Sequence, residues 1–380
     1  MKMMFNAAVK DIEISGIRKF FNKIQHIDGM ISLTIGQPDF PTPTHIKAAA
    51  KKAIDQNHTN YTHNAGIPDL RIAISQYMEQ KYNLYYQADS EIIVTSGASQ
   101  AIDTALRTVL SIGQEVILPA PVYPGYTPVI KQCGAIPVFV DTTENEFKLT
   151  AEMIEPHITD QTVCLILPYP SNPTGVSLTE AELKDIAELS EKYNLIIIAD
   201  EIYSELTYDE KHTSMGTLAR ERTITINGLS KSHSMTGWRI GVLMAPSHIA
   251  EQCLKVHQYT VSCASSISQY AALAAYTAGI NDAEPMKKEY RRRRAFTEKK
   301  LLELGFDVVK PDGAFYFFAG IPSGAASSEQ FAIELAEQAK VGVVPGTAFG
   351  PEGEGYIRVS YACSEQQLTE AFKRMEQYLT

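Results

Sequence analysis

Short apolar runs rich in β-branched residues alternate with longer amphipathic stretches between about residues 90 and 245. Seven runs predict strands, and they read EIIVTSG, EVILPAP, IPVFV, TVCLILPYP, LIIIAD, TITING and IGVLMAP. Continuous apolar runs are typical of strands that are buried on both faces. The intervening stretch Leu178–Tyr193 predicts a helix capped by Ser177 or Thr179, and Ala98–Ser111 predicts another. The alternation predicts an α/β fold in which a mostly parallel sheet lies between helices.

After about residue 280 the pattern changes to a long helix, which contains YRRRRAFTEKKLLEL, and to short strands in FDVVKPDG, AFYFFAG, VGVVPG and YIRVSYA. Short strands among helices indicate a smaller α+β domain. The first forty residues predict one amphipathic helix and then the extended loop LTIGQPDFPTP. A chain of 380 residues is long enough for two or three domains. We therefore predict a large α/β domain over residues 46–280 and a small α+β domain, with an N-terminal arm, formed by residues 1–45 and 281–380.

The charge balance argues against nucleic acid and anionic lipid as partners. The formal net charge is −10, so the chain has no surplus of cations to neutralise phosphates. The run from Arg291 to Arg294 is basic, but Glu289 and Glu298 lie near it. We expect this run to form a solvated, salt-bridged helix face.

Cysteine usage and apolar run length predict a cytoplasmic protein. The five cysteines are an odd number and form no CxxC pair, which argues against a disulfide framework and a zinc site. The N-terminus lacks the apolar core of a signal peptide, and no segment reaches the roughly 18 apolar residues of a membrane span. We expect reduced thiols, no membrane contact and no metal.

Several predicted strands end in polar residues that suit one chemical site. LIIIAD ends in Asp200 and is followed by Tyr203. TITINGLS leads to Lys231, and TVCLILPYP leads to Asn172. Because the carboxyl ends of parallel strands share one edge of a sheet, we expect these side chains to lie together. Burial and the nearby Arg239 would lower the pKa of the lysine from about 10.4, which suits a nucleophile and proton carrier.

Four motifs resemble those of the class I and II pyridoxal-phosphate (PLP) aminotransferases, which have the aspartate aminotransferase fold. They are SNPTG, DEIYSEL, GLSKSHSMTGWRIG and GYIRVSYA, and they occur in the family's order. The resemblance extends from IGQPDF to the last strand and so covers nearly the whole chain. It implies the PLP-dependent transferase fold type I with a seven-stranded sheet in the large domain. It also implies a PLP cofactor and a homodimer with shared active sites.

The resemblance implies a role for each residue around the cofactor ring. Lys231 would form a Schiff base with PLP and carry the proton during transfer. Asp200 would pair with the pyridine nitrogen, and Tyr203 and Asn172 would hydrogen-bond the ring oxygen. Tyr123, in PAPVYPGY, matches the aromatic residue that stacks on the ring.

The cofactor phosphate is expected where EIIVTSGASQAI opens a helix. Gly97, Ala98 and Ser99 would expose backbone N–H groups there, which favour an anion. Arg239 would add a bidentate contact. In the family, a tyrosine that matches Tyr61, in NYTHNAG, reaches the phosphate of the neighbouring subunit.

The sequence departs from the family's pattern at one phosphate position. Many relatives have a serine three residues before the cofactor lysine, where this chain has Gly228. Ser230 or Ser232 would then have to compensate.

Arg358 lies in a predicted strand of the small domain, GYIRVSYA, and a buried strand arginine is costly unless an anion binds it. The resemblance implies that this anion is the substrate's α-carboxylate. By resemblance, Arg358 clamps this carboxylate, Gly36 lets the backbone approach it, and Asn172 also contacts the substrate. His233, two residues after the cofactor lysine, is expected to be structural. No residue identifies itself as a clamp for the substrate side chain.

The predicted reaction is ping-pong transamination from an amino acid to a 2-oxo acid or semialdehyde. The resemblance is strongest to members that act on N-acetyl-LL-diaminopimelate in lysine and cell-wall biosynthesis, with glutamate as donor. The helix with Arg18 and the loop around His63 are candidates for the side-chain pocket. A carbon–sulfur β-lyase on the same fold is an alternative interpretation. A ligand-sensing regulator is a second alternative, although the sequence shows no basic winged-helix segment.

Overall fold

The structure, a computed structural model, describes residues 5–322 and 326–379. The strands are β1 (Ile31–Ser32), β2 (Ile92–Thr95), β3 (Glu115–Ala120), β4 (Ile136–Asp141), β5 (Thr162–Leu167), β6 (Ile196–Asp200), β7 (Thr223–Gly228), β8 (Gly241–Met244), β9 (Asp307–Val308), β10 (Tyr316–Gly320), β11 (Val341–Gly342), β12 (Val344–Pro345) and β13 (Tyr356–Ser360). The helices are α1 (Ala7–Lys10), α2 (Gly16–Ile24), α3 (Thr44–Asp55), α4 (Pro68–Tyr82), α5 (Ala98–Val109), α6 (Tyr126–Gln132), α7 (Ala151–Ile154), α8 (Glu180–Lys192), α9 (Met215–Leu218), α10 (Leu229–Ser232), α11 (Ser247–Val261), α12 (Ser266–Tyr276), α13 (Ala283–Glu303), α14 (Ser328–Gln338) and α15 (Glu365–Leu379). Within the described residues, no helix combines the length and the apolarity needed to cross a membrane.

The larger sheet has seven strands in the order β2-β8-β7-β6-β5-β3-β4. β8 runs antiparallel to both of its neighbours, whereas the other pairs are parallel. Apolar side chains pack on both faces, so β5, β6 and β7 are buried along almost their whole length. The edge strand β4 is the most exposed. The predicted α/β architecture, with a mostly parallel sheet of seven strands between helices, is confirmed.

Helix α8 begins at the predicted capping motif. The Thr179 hydroxyl accepts a hydrogen bond from the backbone N–H of Glu182 at 3.2 Å, and the Glu182 carboxylate accepts one from the backbone N–H of Thr179 at 2.6 Å. This reciprocal pair satisfies two donors that the helix itself leaves unpaired. Ser177, the other candidate, is not the cap, because α8 begins at Glu180 and Thr179 is the residue directly before it.

The smaller sheet has four antiparallel strands in the order β12-β13-β10-β9, and β1 pairs with β11 in a separate parallel ribbon. Helices α2, α13, α14 and α15 share one apolar core with these strands. The α+β texture follows the sequence pattern after residue 280. The proposed division at residues 46 and 280 stays a prediction.

The arginine run in α13 differs in part from the expected solvated face. Arg292 is exposed and salt-bridged, as expected. Arg293 and Arg294 are instead buried, and each pairs with a carboxylate at 2.8 Å, Asp39 and Asp209 respectively. Because successive helical residues are about 100° apart, four consecutive side chains cover the whole circumference. Some of the four must therefore face the protein interior.

Candidate active site

The carboxyl ends of β2, β5, β6 and β7 lie at one edge of the large sheet, next to a cavity of about 420 Å³. Strands β10 and β13 of the small sheet supply part of its wall. Most of the residues that the sequence singled out line this cavity: Gly36, Ala98, Ser99, Tyr123, Asn172, Asp200, Tyr203, Ser230, Lys231, Arg239 and Arg358. Gly97 adjoins it as the N-cap residue of α5.

Lys231 is presented by the short helix α10, directly after β7. Its Nζ donates to the carbonyl oxygen of Gly36 at 2.6 Å and lies 5.6 Å from the centroid of the Tyr203 ring. Burial, and after it the charges of Arg358 and Arg239, lower the pKa of Lys231 to about 8. The amine therefore loses its charge far more readily than an ordinary lysine, as a nucleophile requires.

Asp200 ends β6 and is only 7% exposed. One carboxylate oxygen accepts from the Tyr126 hydroxyl at 2.7 Å, and the other accepts from the backbone N–H of Ile202 at 3.3 Å. Burial raises the pKa of Asp200, and these hydrogen bonds partly oppose the rise. A carboxylate in this position is suited to bind a cationic group inside the cavity.

Asn172 and Tyr203 line the cavity with polar groups that are fixed on one side. Asn172 Oδ1 accepts from Nη1 of Arg358 at 2.8 Å, which leaves the amide nitrogen as a donor. The Tyr203 hydroxyl lies 2.9 Å from the Tyr316 hydroxyl. Burial, and after it the nearby Tyr316, hold the pKa of Tyr203 well above its ordinary value, so the phenol keeps its proton.

An anion-binding end is formed where Arg239 meets the start of α5. Gly97 has φ +81°, and a Cβ on it would lie 2.3 Å from Nη2 of Arg239. Gly241 is similar, because a Cβ there would lie 2.4 Å from the backbone nitrogen of Ala98. These glycines let a guanidinium and a strand approach the helix start closely. Backbone N–H groups, the Ser99 hydroxyl and a guanidinium together suit a phosphate.

The position of Gly228 explains the departure from the family's serine. A Cβ there would lie 2.9 Å from the carbonyl oxygen of Ile240, so a serine would force β7 and β8 apart. Of the two candidates to compensate, Ser230 lines the cavity. The Ser232 hydroxyl lies 2.8 Å from Nδ1 of His233 instead. Ser230 is therefore the serine placed to reach a phosphate.

Arg358 lies in β13 and is 2% exposed. Its Nη2 donates to the carbonyl oxygen of Thr34 at 2.8 Å, and its Nε has no hydrogen-bond partner among the described residues. The guanidinium lies 4.4 Å from the ring centroid of Tyr316 and 4.9 Å from that of Phe349. Burial lowers the pKa of Arg358, but an arginine keeps its charge in proteins. Such a buried cation favours an anionic ligand.

Other residues named from the sequence lie outside the cavity. Tyr61 is 88% exposed and Arg18 is exposed. His63 accepts a backbone N–H within its own loop at 3.1 Å. His233 donates from Nε2 to the carbonyl oxygen of Gly279 at 2.9 Å and is buried, which is the structural role expected for it.

Tyr126 and Tyr316 line the cavity, although the sequence did not single them out. Each stands in an apolar or turn-rich run, where a tyrosine is typical of core packing. Their hydroxyl groups could have indicated a role in the site, because a buried phenol needs a hydrogen-bond partner. Ile17, Ile35 and Gln37 also line the cavity. The sequence did not identify them, because their place in the cavity depends on how the N-terminal segment packs against the rest of the chain.

Comparison with known proteins places this fold and cavity in a class of group-transfer enzymes. The profile of the family described as "Aminotransferase class I and II" matches residues 28–375. A probable N-acetyl-LL-diaminopimelate aminotransferase of Bacillus subtilis (strain 168) is 57% identical over 100% of this chain and 96% of its own. An aspartate aminotransferase of Pyrococcus abyssi is 43% identical over 96% of this chain and 95% of its own. The crystal structure of an aromatic aminotransferase from Pyrococcus horikoshii OT3 matches with a TM-score of 0.90 and 41% identity, covering 95% of this chain and 98% of that one.

The chain therefore belongs to the class I and II aminotransferases. It is an enzyme that transfers amino groups between amino acids and 2-oxo acids, and its family depends in general on PLP. The family predicted from the four motifs is confirmed. The three similar proteins carry the names of three different substrates, so the fold alone does not define the substrate.

Proposed function

We propose that this chain binds PLP in the cavity and carries it on Lys231. Two buried charges without ionic partners support the proposal, the Asp200 carboxylate and the Arg358 guanidinium. Neither takes part in an ion pair within residues 5–322 and 326–379. A cationic pyridine nitrogen and a substrate α-carboxylate would neutralise these two charges. This complementarity is the observation that carries the proposal.

The residues present fit the cofactor at each of its polar groups. Asp200 would hold the ring nitrogen, Tyr203 and Asn172 the ring oxygen, and Tyr123 one face of the ring. The phosphate would lie at the start of α5, within reach of Gly97, Ala98, Ser99, Ser230 and Arg239. Tyr61 of a second copy would complete the phosphate site, so we propose that the enzyme works as a homodimer.

When bound, PLP supplies an aldehyde that bonds the amino group and a cationic ring that withdraws electrons from the substrate Cα. Lys231 Nζ would take the proton that leaves this Cα and later return it, since its pKa of about 8 lets it exchange a proton near neutral pH. Arg358, assisted by Asn172 and the backbone at Gly36, would fix the α-carboxylate and so orient the Cα. Both half-reactions would use this one site.

For the substrates, we propose glutamate as donor and, as acceptor, the 2-oxo acid that corresponds to an N-acylated diaminopimelate. The support is the relative at 57% identity, which is named for that reaction. Among the described residues that line the cavity, the cations are Lys231, Arg239 and Arg358, and each has a role above. The remaining wall, with Ile17, Ile35 and Gln37, suits the methylene chain and the acyl amide of a long substrate.

The test of the proposed function is an absorbance spectrum of purified protein with PLP, recorded during a titration with glutamate. We expect a visible band that disappears with glutamate and returns with 2-oxoglutarate. Lys231→Ala should abolish turnover, while PLP still binds reversibly. An unchanged steady-state rate in Lys231→Ala, or no visible band in the wild type, would contradict the proposal. Release of pyruvate from cysteine without any amino acceptor would favour the carbon–sulfur lyase instead.

The acceptor needs a separate comparison. Activity with glutamate should be measured against the 2-oxo or semialdehyde partners of N-acetyl-LL-diaminopimelate, aspartate and phenylalanine. We expect the highest kcat/KM for the first. A higher value for either of the others would overturn the substrate proposal and leave the cofactor proposal intact.

A further inference from the structure

Tyr316 touches three parts of the proposed site at once. It is fully buried at the start of β10, and its hydroxyl lies 2.9 Å from the Tyr203 hydroxyl. The Arg358 guanidinium lies 4.4 Å from the centroid of its ring. A Cβ on Gly36 would lie 3.0 Å from the same hydroxyl, so the glycine leaves room for it.

The direction of the Tyr203–Tyr316 hydrogen bond follows from counting protons. Burial raises the pKa of both phenols, so each carries one proton. If Tyr203 donates its proton to the ring oxygen of the cofactor, its own oxygen can only accept from Tyr316. A phenol that accepts one hydrogen bond becomes a stronger donor in the next, because a chain of hydrogen bonds polarises its members.

The ring of Tyr316 has a separate task. Arg358 is a buried cation without a carboxylate partner among the described residues, so its position depends on the groups around it. These groups include the carbonyl oxygen of Thr34, Asn172 Oδ1 and the aromatic faces of Tyr316 and Phe349. An aromatic face attracts a guanidinium even where water is excluded.

We propose that Tyr316 is a positioning residue with two separable functions. Its hydroxyl fixes Tyr203 as the donor to the cofactor's ring oxygen, and its ring holds Arg358 where the substrate's α-carboxylate binds. The inference rests on the proposed function, because it assumes PLP and an α-amino acid in the cavity.

Tyr316→Phe removes the hydroxyl and keeps the ring. A donor to the ring oxygen stabilises negative charge there and so favours loss of the proton that the bound cofactor shares with Lys231. With a weaker donor, the visible band of the holoenzyme should titrate at higher pH, by about half to one pH unit, the worth of one neutral hydrogen bond. Tyr203→Phe should shift the titration in the same direction and further. The KM for glutamate in Tyr316→Phe should stay within about twofold of the wild type.

Tyr316→Leu removes the ring as well. The KM for glutamate should then rise by roughly 3- to 30-fold, the range expected for a desolvated cation–π contact. Tyr361→Phe is the matched control, because Tyr361 is fully buried in the same core and its hydroxyl contacts Tyr208 and Ala314 outside the cavity. It should leave both the titration and the KM at wild-type values.

Three outcomes would overturn the inference. The first is a folded Tyr316→Phe holoenzyme whose band titrates as in the wild type. The second is an equal rise in KM for Tyr316→Phe and Tyr316→Leu. The third is a shift in Tyr361→Phe as large as that in Tyr316→Phe, which would indicate a general packing effect. Tyr316→Phe preserves the packing of β10, so it decides the role of the hydroxyl even if Tyr316→Leu does not fold. A wild-type protein that shows no visible band with PLP would instead mean that the proposed function itself fails.

Discussion

The pKa of Lys231 is set by its burial and by the charged groups around it. Burial removes water from the ammonium group, and Arg358 and Arg239 add like charges nearby, so all three disfavour the protonated form. Asp200 acts in the opposite direction and is the weakest of these influences. The result is a lysine with a pKa of about 8 in place of its ordinary value of 10.5.

This pKa predicts how the rate of PLP uptake depends on pH. Only the neutral amine attacks an aldehyde, and a lowered pKa means that the amine is neutral above about pH 8. The rate at which the visible band appears, after PLP is added to cofactor-free protein, should rise with pH to about pH 8 and then level off. Stopped-flow absorbance from about pH 6.5 to 10 measures it, a range that spans the lowered and the ordinary pKa of a lysine.

Arg358→Met provides the matched comparison, since it removes one of the two like charges and leaves burial in place. The pKa of Lys231 should then rise, so the plateau should move to higher pH. A wild-type rate that keeps increasing up to about pH 10, where an ordinary lysine titrates, would show that the lysine is not perturbed as argued.

At the scale of the structural elements, two other parts of the chain approach the start of α5 closely. Arg239 lies across Gly97, and β8 approaches the same point at Gly241. Gly97→Ala should displace the guanidinium and weaken PLP binding roughly 10- to 150-fold, the worth of a hydrogen bond to a charged group. A PLP titration followed by the visible band measures the dissociation constant.

Gly113→Ala separates backbone strain from this displacement. Gly113 has φ +83°, close to the +81° of Gly97, but a Cβ there would meet no atom within 4 Å. The backbone strain should therefore lower the free energy of unfolding of both variants by about 1–3 kcal/mol. Only Gly97→Ala should lose PLP affinity, and equal losses of affinity in the two variants would refute the explanation.

The sequence predicts elements better than it predicts contacts between them. All seven strands of the large sheet are visible as apolar runs, and in the central strands β5, β6 and β7 the reason is burial on both faces. The cofactor residues are recognisable because their motifs are local. Arg293 and Arg294 could not be assigned to the interior, because their partners Asp39 and Asp209 are 254 and 85 residues away along the chain. Tyr316 was missed for the same reason, since its role depends on distant residues.

At the scale of the whole molecule, the loop that carries Tyr61 is held in place by hydrogen bonds within its own chain. His257, which is fully buried, donates to the carbonyl oxygen of Asn64 at 3.0 Å, and the backbone N–H of Ile67 donates to Gln269 at 2.8 Å. The Tyr61 side chain nevertheless remains 88% exposed. A rigid loop that presents an exposed tyrosine suits contact with a second copy of the chain.

Mixed dimers test whether Tyr61 serves the partner's site. One chain carries Lys231→Ala and the other carries Tyr61→Phe, with different affinity tags so that the mixed dimer can be isolated. The remaining Lys231 belongs to the Tyr61→Phe chain, and across the interface it would receive an intact Tyr61 from the Lys231→Ala chain. We therefore expect one site per dimer to form its visible band with wild-type PLP affinity, although the Tyr61→Phe homodimer binds PLP more weakly.

The alternative arrangement gives a different result in the same experiment. If Tyr61 acted within its own chain, the site with Lys231 would always carry the Tyr61→Phe substitution, and the mixed dimer would bind PLP as weakly as the Tyr61→Phe homodimer. A chain that sediments as a monomer with full PLP affinity would exclude the arrangement in which Tyr61 serves the partner's site. Because the loop is rigid and Tyr61 is not among the residues that line the cavity, a change within one chain would have to break the His257 and Gln269 hydrogen bonds. Exchange between subunits requires no such change, which is why we expect the first result.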